Sequence, residues 1–193
     1  MKSINLILIF LLLPFLSNAQ TSVPPLVDGK CQEYEGLAAT VLDLDHGVKL
    51  HIYQNEHYVW LCYCYQPGSY GTLDLVLAAP ELDRPLNLHV SAQLGEWPAN
   101  QLEAAPKNPE SDKWWNHEGW TANEIWPNGT DRSGEAPRPK FKNADARELQ
   151  LSKARFGKGD WKMKFNIRAL RTTSGMANLT FPAGDESYIL KVN

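Results

Sequence analysis

The chain has 193 residues, 43% of them hydrophobic and 21% charged, with a formal net charge of −3. This is the composition of one globular domain, and it excludes a disordered tail, a collagen-like fibre and a coiled coil. The slightly acidic balance leaves no basic footprint for nucleic acid, and the lack of a second long apolar run excludes a multi-span membrane protein.

The first residues are expected to be a targeting segment. Lys2 gives a positive start, an apolar run extends from Leu6 to Leu16 broken only by Pro14, and Ser17 and Ala19 occupy the small positions of a cleavage site. The run is short against the ~20 residues of a bilayer span. A secretory leader over residues 1–19, cut after Ala19, is therefore expected rather than a retained anchor. The remainder, 20–193, is expected to be one domain, secreted or periplasmic, with no membrane insertion after cleavage.

Cys31, Cys62 and Cys64 all follow the leader. An exported compartment permits disulfides. On one strand Cys62 and Cys64 would stand about 7 Å apart on the same face, too far for bonding to each other. The open readings are a bridge from Cys31 to one of them with one thiol left free, and buried cysteines acting as small hydrophobes. Zinc on three thiols is a weaker reading, because no His stands at ligand spacing nearby in sequence.

Downstream, the apolar pattern has period two. Ala38–Leu44 is expected to be a strand, joined by the turn Asp45-His46-Gly47 to Val48–Tyr53, where Val48, Leu50 and Ile52 alternate with Lys49, His51 and Tyr53. Tyr58–Tyr65, YVWLCYCY, is apolar or aromatic throughout and is expected to be a central strand covered on both faces. Leu73, Leu75 and Leu77 alternate around Asp74; Leu86–Leu94 sets Leu86, Leu88, Val90, Ala92 and Leu94 against Asn87, His89, Ser91 and Gln93. Short strands are expected at Leu149–Leu151 and Tyr188–Val192, and a long one at Trp161–Arg168, with Trp161, Met163, Phe165 and Ile167 inward. The helical candidates, Pro98–Ala105 and Ser152–Phe156, are brief. Many strands with polar turns predict an all-β fold: an antiparallel, jelly-roll-like β-sandwich with one long Trp/Pro-rich loop insertion, Gly95–Ala146.

Several phrases carry a family resemblance. They are Pro24–Lys30 with Asp28-Gly29, Gln54–Tyr63, Arg147–Leu151, and Gly159–Arg168 with Trp161. In order and spacing they resemble the family 9 carbohydrate-binding modules and the wider DOMON-like β-sandwich group. The resemblance implies a sandwich that binds a glycan, an oligosaccharide or polysaccharide, in carbohydrate catabolism. It also implies structural calcium as a candidate cofactor, with Asp28, Asp43, Asp45, Asp185 and Glu186 as available donors. The long loop has no counterpart in that pattern, so its residues are argued on their own chemistry.

That loop holds five of the seven tryptophans. An indole covers the apolar C–H face of a sugar while amides and carboxylates meet its hydroxyls. Trp97, Trp114, Trp115, Asn116, Glu118, Trp120 and Trp126 are the expected ligand-binding residues. Some are expected to pack instead, as Trp60 and Trp161 are by their phase with apolar neighbours. Neighbours point to opposite sides of an extended chain, so one of Trp114 and Trp115 should be exposed. The expected protein is a monomeric, non-catalytic carbohydrate-binding module.

Three alternatives stand beside it. A glycoside-processing enzyme, or an accessory domain of carbohydrate catabolism, would need two paired carboxylates, and nothing in sequence pairs Glu33, Glu35, Glu56, Glu118 or Glu124. A haem-binding DOMON-like domain would use Met163 with one of His46, His51, His57, His89 or His117. A protein-binding surface module would use Lys162, Lys164 and Arg168 on the outward face of the long strand.

Overall fold

The computed structural model describes residues 23–123 and 125–193, without the side chains of 125–127 and 143. The expected leader lies outside the described residues. No described helix is long and apolar enough to cross a membrane.

The first sheet contains β1 (Thr40–Asp43), β2 (Lys49–Gln54), β3 (Tyr58–Cys64), β7 (Trp120–Ala122) and β10 (Ala146–Ser152) in the spatial order β1-β2-β3-β10-β7. The second contains β4 (Thr72–Ala78), β5 (Leu86–Val90), β6 (Leu94–Pro98), β11 (Gly159–Thr172) and β12 (Gly175–Phe181) in the order β12-β11-β4-β5-β6. A further strand, β13 (Tyr188–Val192), pairs with the start of β11, beyond the stretch that β12 covers. A separate hairpin joins β8 (Ile125–Asp131) to β9 (Arg138–Asn143), and a short helix, α1 (Lys153–Phe156), follows β10. Neighbouring strands are antiparallel throughout, as the period-two pattern predicted.

The two sheets enclose one core. Leu50 and Ile52 of β2, Leu73, Leu75 and Leu77 of β4, and Met163, Phe165 and Ile167 of β11 all enter it. Burying one such side chain contributes roughly 1.5–3 kcal/mol, so their regular alternation fixes which face each strand turns inward. β3 is covered on both faces, as its uniform apolar sequence implied. Val59, Leu61 and Tyr63 enter the main core, while Trp60 and Cys62 enter a second cluster with Cys31, Tyr34 and Ala146.

That second cluster forms because the segment before β1 lies across the outward face of the first sheet. A Cys31–Cys62 disulfide ties it down, and Cys64 keeps a free thiol. The buried Glu148 carboxylate of β10 accepts hydrogen bonds from the Tyr34 hydroxyl at 2.6 Å and from the Asp28 and Gly29 amides at 3.0 and 3.2 Å. Gly29 has φ +77°, and a Cβ there would lie 2.4 Å from Asn123 Nδ2, so only glycine fits the turn.

Two expected boundaries shift. Leu86–Leu94 is not one strand: Ser91 and Gln93 exchange backbone and hydroxyl hydrogen bonds, the chain reverses, and Ala92 is left exposed between β5 and β6. Alternation ran through the turn and concealed it. The long loop is in part strand, since β6, β7, β8 and β9 fall wholly or partly within Gly95–Ala146.

Candidate functional site

β6 shows how the site is built. Alternation turns Leu94 and Glu96 inward and Trp97 outward, opposite Asn87 of β5. On the same outward face β4 presents Asp74, β5 presents Asn87 and His89, and β11 presents Asn166 and Arg168. Register aligns Asp74 with His89 on one side and Asn166 on the other. The polar residues of three alternating strands thus become one surface.

Asp74 is its hub. The carboxylate accepts from Asn87 Nδ2 at 3.0 Å, meets His89 Nδ1 at 2.8 Å, and pairs with the Arg168 guanidinium. Burial pushes its pKa up, but the hydrogen bonds from His89 and Asn87, then the charges of His89 and Arg168, outweigh burial and hold it below the usual carboxylate value. Asp74 is therefore a fixed anion with three donors around it. Asn166 Oδ1 accepts from Thr180 Oγ1 at 3.1 Å, which orients its amide.

The segment after β6 folds back beside this surface and leaves a groove of about 320 Å³, lined by Asp74, Val76, Asn87, Trp97, Asn166 and Arg168, with Leu102 among the apolar groups opposite. Trp97 is held rigidly: its ring centroid is 5.7 Å from that of His89 and 6.3 Å, edge-on, from that of Trp114. Trp114 lies against Gly95, where a Cβ would meet its ring at 3.0 Å, and its Nε1 donates to Asn108 O at 2.9 Å.

The remaining expected site residues are distributed differently. Trp115 is 48% exposed at φ +66°, its amide donating to Leu94 O, while Trp114 is partly buried. Asn116 and Glu118 are exposed beside it. Trp120 is buried in the main core, its Nε1 donating to Glu96 Oε2 at 2.7 Å; Arg155 grips the same carboxylate at 2.8 and 3.0 Å. This clasp joins β6 and β7, the edge strands of opposite sheets. The Trp126 side chain lies outside the described residues. The structure therefore brings Trp97 and Trp114 together, keeps Trp120 on the other side of β6, and gathers Asp74, Asn87, His89, Asn166 and Arg168 beside the first two; none of these five was among the expected glycan-binding residues, His89 standing as a haem-ligand alternative and Arg168 as part of a protein-binding face. Their signal was present as the polar phase of three alternating strands, but only sheet order shows that those phases adjoin.

Other expected groups fall elsewhere. Met163 is core filler between the sheets. Asp28 pairs with Lys30 at 2.5 Å and Asp43 with Lys49 at 3.3 Å. The group of three metal-ligating side chains that converges among the described residues is Cys31, His51 and Cys64, not a set of carboxylates.

No family model matches the chain, and no curated protein matches it. Two solved structures align with it. One is a family 9 carbohydrate-binding module from Caldicellulosiruptor kristjanssonii in complex with cellotriose, at TM-score 0.40 and 7% identity over 81% of this chain and 78% of that one. The other is the GAE domain of GGA2p from Saccharomyces cerevisiae, at TM-score 0.26 and 10% identity over 81% and 97%. Both likenesses are coarse.

Proposed function

We propose that this protein is a non-catalytic glycan-binding module whose binding surface is the groove on the outward face of the second sheet. The observation that carries the reading is the groove's composition. An immobilised indole edge and the apolar side chains Val76 and Leu102 lie beside a fixed carboxylate, two amides and a guanidinium. Sugars are apolar on their ring faces and polar at their rims, and this surface offers a partner for each. Arg168 and Asn87 donate to hydroxyl oxygens, and Asp74 accepts from hydroxyl hydrogens. Trp115, exposed at the end of the neighbouring segment, adds a second aromatic platform. Among the described residues Asp74 is the one carboxylate lining the groove, which matches binding rather than two-carboxylate hydrolysis. The disulfide suits action in an oxidising compartment, with residues 1–19 as the export signal.

The test is a calorimetric titration of the purified chain with neutral and acidic oligosaccharides, with calcium and then with chelator. One sugar class should bind, and Trp97→Ala and Asp74→Ala should each weaken that binding at least tenfold while circular dichroism stays native. Failure of every sugar to bind, or binding unaffected by both substitutions, refutes the reading.

A further inference from the structure

The outward face of the first sheet carries a second group of chemistry-bearing side chains, remote from the groove and independent of it. β2 and β3 pair so that His51 stands opposite Cys62 and Lys49 opposite Cys64. Cys62 and Cys64, two apart on β3, share a face with His51. The segment before β1 brings Cys31 onto the same face and bonds it to Cys62. One ligand atom from each of Cys31, His51 and Cys64 lies within 4.8 Å of the other two. The Cys64 Sγ is 3.8 Å from His51 Nε2. His51 is only 8% exposed, its Nδ1 has no hydrogen-bond partner, and among the described residues its ring's one hydrogen-bonding neighbour is the Cys64 sulfur. A buried imidazole with so little to bond is costly unless something else engages it. Cys31, His51 and Cys64 open onto a cavity of about 470 Å³, which gives an ion a way in.

We propose that Cys31, Cys62, Cys64 and His51 form a soft-metal site, three thiolates and one imidazole around a tetrahedral cation of the zinc type, when the Cys31–Cys62 bond is reduced. Three sulfurs and one nitrogen are a closed donor set for structural zinc. Metal–sulfur bonds of ~2.3 Å and metal–nitrogen bonds of ~2.0 Å set tetrahedral donors roughly 3.5–3.8 Å apart; the Cys31, His51 and Cys64 donor atoms already lie within 4.8 Å of one another, and Cys62 Sγ, released from Cys31, completes the set. A phosphine or dithiol reductant supplies the two electrons that open the disulfide and is itself oxidised, leaving thiols at Cys31 and Cys62. The cation then displaces three thiol protons to solvent and takes the His51 lone pair. The bound site carries one net negative charge; the same cavity wall holds Lys49, itself paired with Asp43, beside Glu35 and Asp145. In the oxidised chain only Cys64 and His51 remain as donors, so affinity follows the redox state.

The experiment is a cobalt(II) titration of the full chain, before and after reduction with a trialkylphosphine, followed by zinc. The reduced chain should bind one equivalent, with the visible bands of tetrahedral cobalt and a near-ultraviolet thiolate-to-cobalt band, and zinc should displace it. The unreduced chain should show neither band. Cys64→Ser and His51→Ala should each weaken the reduced chain's affinity at least tenfold. If reduction unfolds the chain, cobalt should restore its native circular dichroism. A reduced chain that shows no bands at one equivalent, variants that bind like the parent, or an unfolded chain that cobalt does not restore would each overturn the proposal.

Discussion

Glu148 gives the sharpest test of how the segment before β1 is held. Its carboxylate is fully buried between β10 and that segment. Burial raises its pKa from 4.5 to about 7, although hydrogen bonds from the Tyr34 hydroxyl and the Gly29 and Asp28 amides pull the other way. The folded state therefore favours the protonated acid more than the unfolded state does. The resulting stability is fully present below the unfolded value and is lost as pH rises through about 7. At ~1.4 kcal/mol per pH unit, the separation amounts to about 3 kcal/mol. Glu148→Gln removes the titration but keeps the shape: its Oε1 accepts from the Asp28 and Gly29 amides while its Nε2 donates to the Tyr34 oxygen. Urea unfolding between pH 5 and 9 should show the parent chain losing stability relative to Glu148→Gln across that interval. With a urea slope of ~2 kcal/mol per molar, the relative midpoint should move by about 1.5 M. Burial lowers the His51 pKa, giving a change of opposite sign at lower pH, but both chains share it and the difference isolates Glu148. Parallel pH profiles would refute the assignment of a neutral acid at this position.

Two further predictions concern the frame. Glu96→Ala strips the acceptor from both Trp120 Nε1 and Arg155, so the chain should lose about 2 kcal/mol, measured by chemical denaturation; an unchanged midpoint would show that the clasp contributes nothing. Gly29→Ala combines a left-handed backbone with a 2.4 Å approach to Asn123, and should cost at least ~2 kcal/mol by the same assay.

The sandwich was legible because its strands bury one face and leave the other polar. The alternation of Leu73, Leu75 and Leu77, and of Trp161, Met163 and Phe165, carries that information locally. The unbroken apolar sequence of β3 likewise predicted its central place between β2 and β10. What a one-dimensional pattern omits is adjacency. Nothing in sequence sets Asp74 beside Arg168, which lies on another strand far down the chain and entered the sequence reading only as part of the protein-binding alternative. Nor does spacing place His51 opposite Cys62, the pairing that brings an imidazole to the cysteines. Trp97 was noticed as a loop aromatic, yet its position comes from β6, whose turn was masked by alternation continuing from β5. Trp120 illustrates the other limit: two tryptophans rich in the same local composition serve opposite faces because one strand separates them.

The inward Glu96 and outward Trp97 are consecutive residues, so the groove and the clasp between the sheets are two sides of a single strand. The groove is consequently not a portable motif. A peptide spanning the tryptophan-rich segment would contain Trp97, Trp114 and Trp115 but none of Asp74, Asn87 or Arg168, and would lack the register that holds them in line. Grafting this groove onto another protein requires transplanting four paired strands and the layer beneath them. By the same logic, any compound that seats in the groove draws its affinity from the assembled sandwich and should raise the whole molecule's resistance to unfolding.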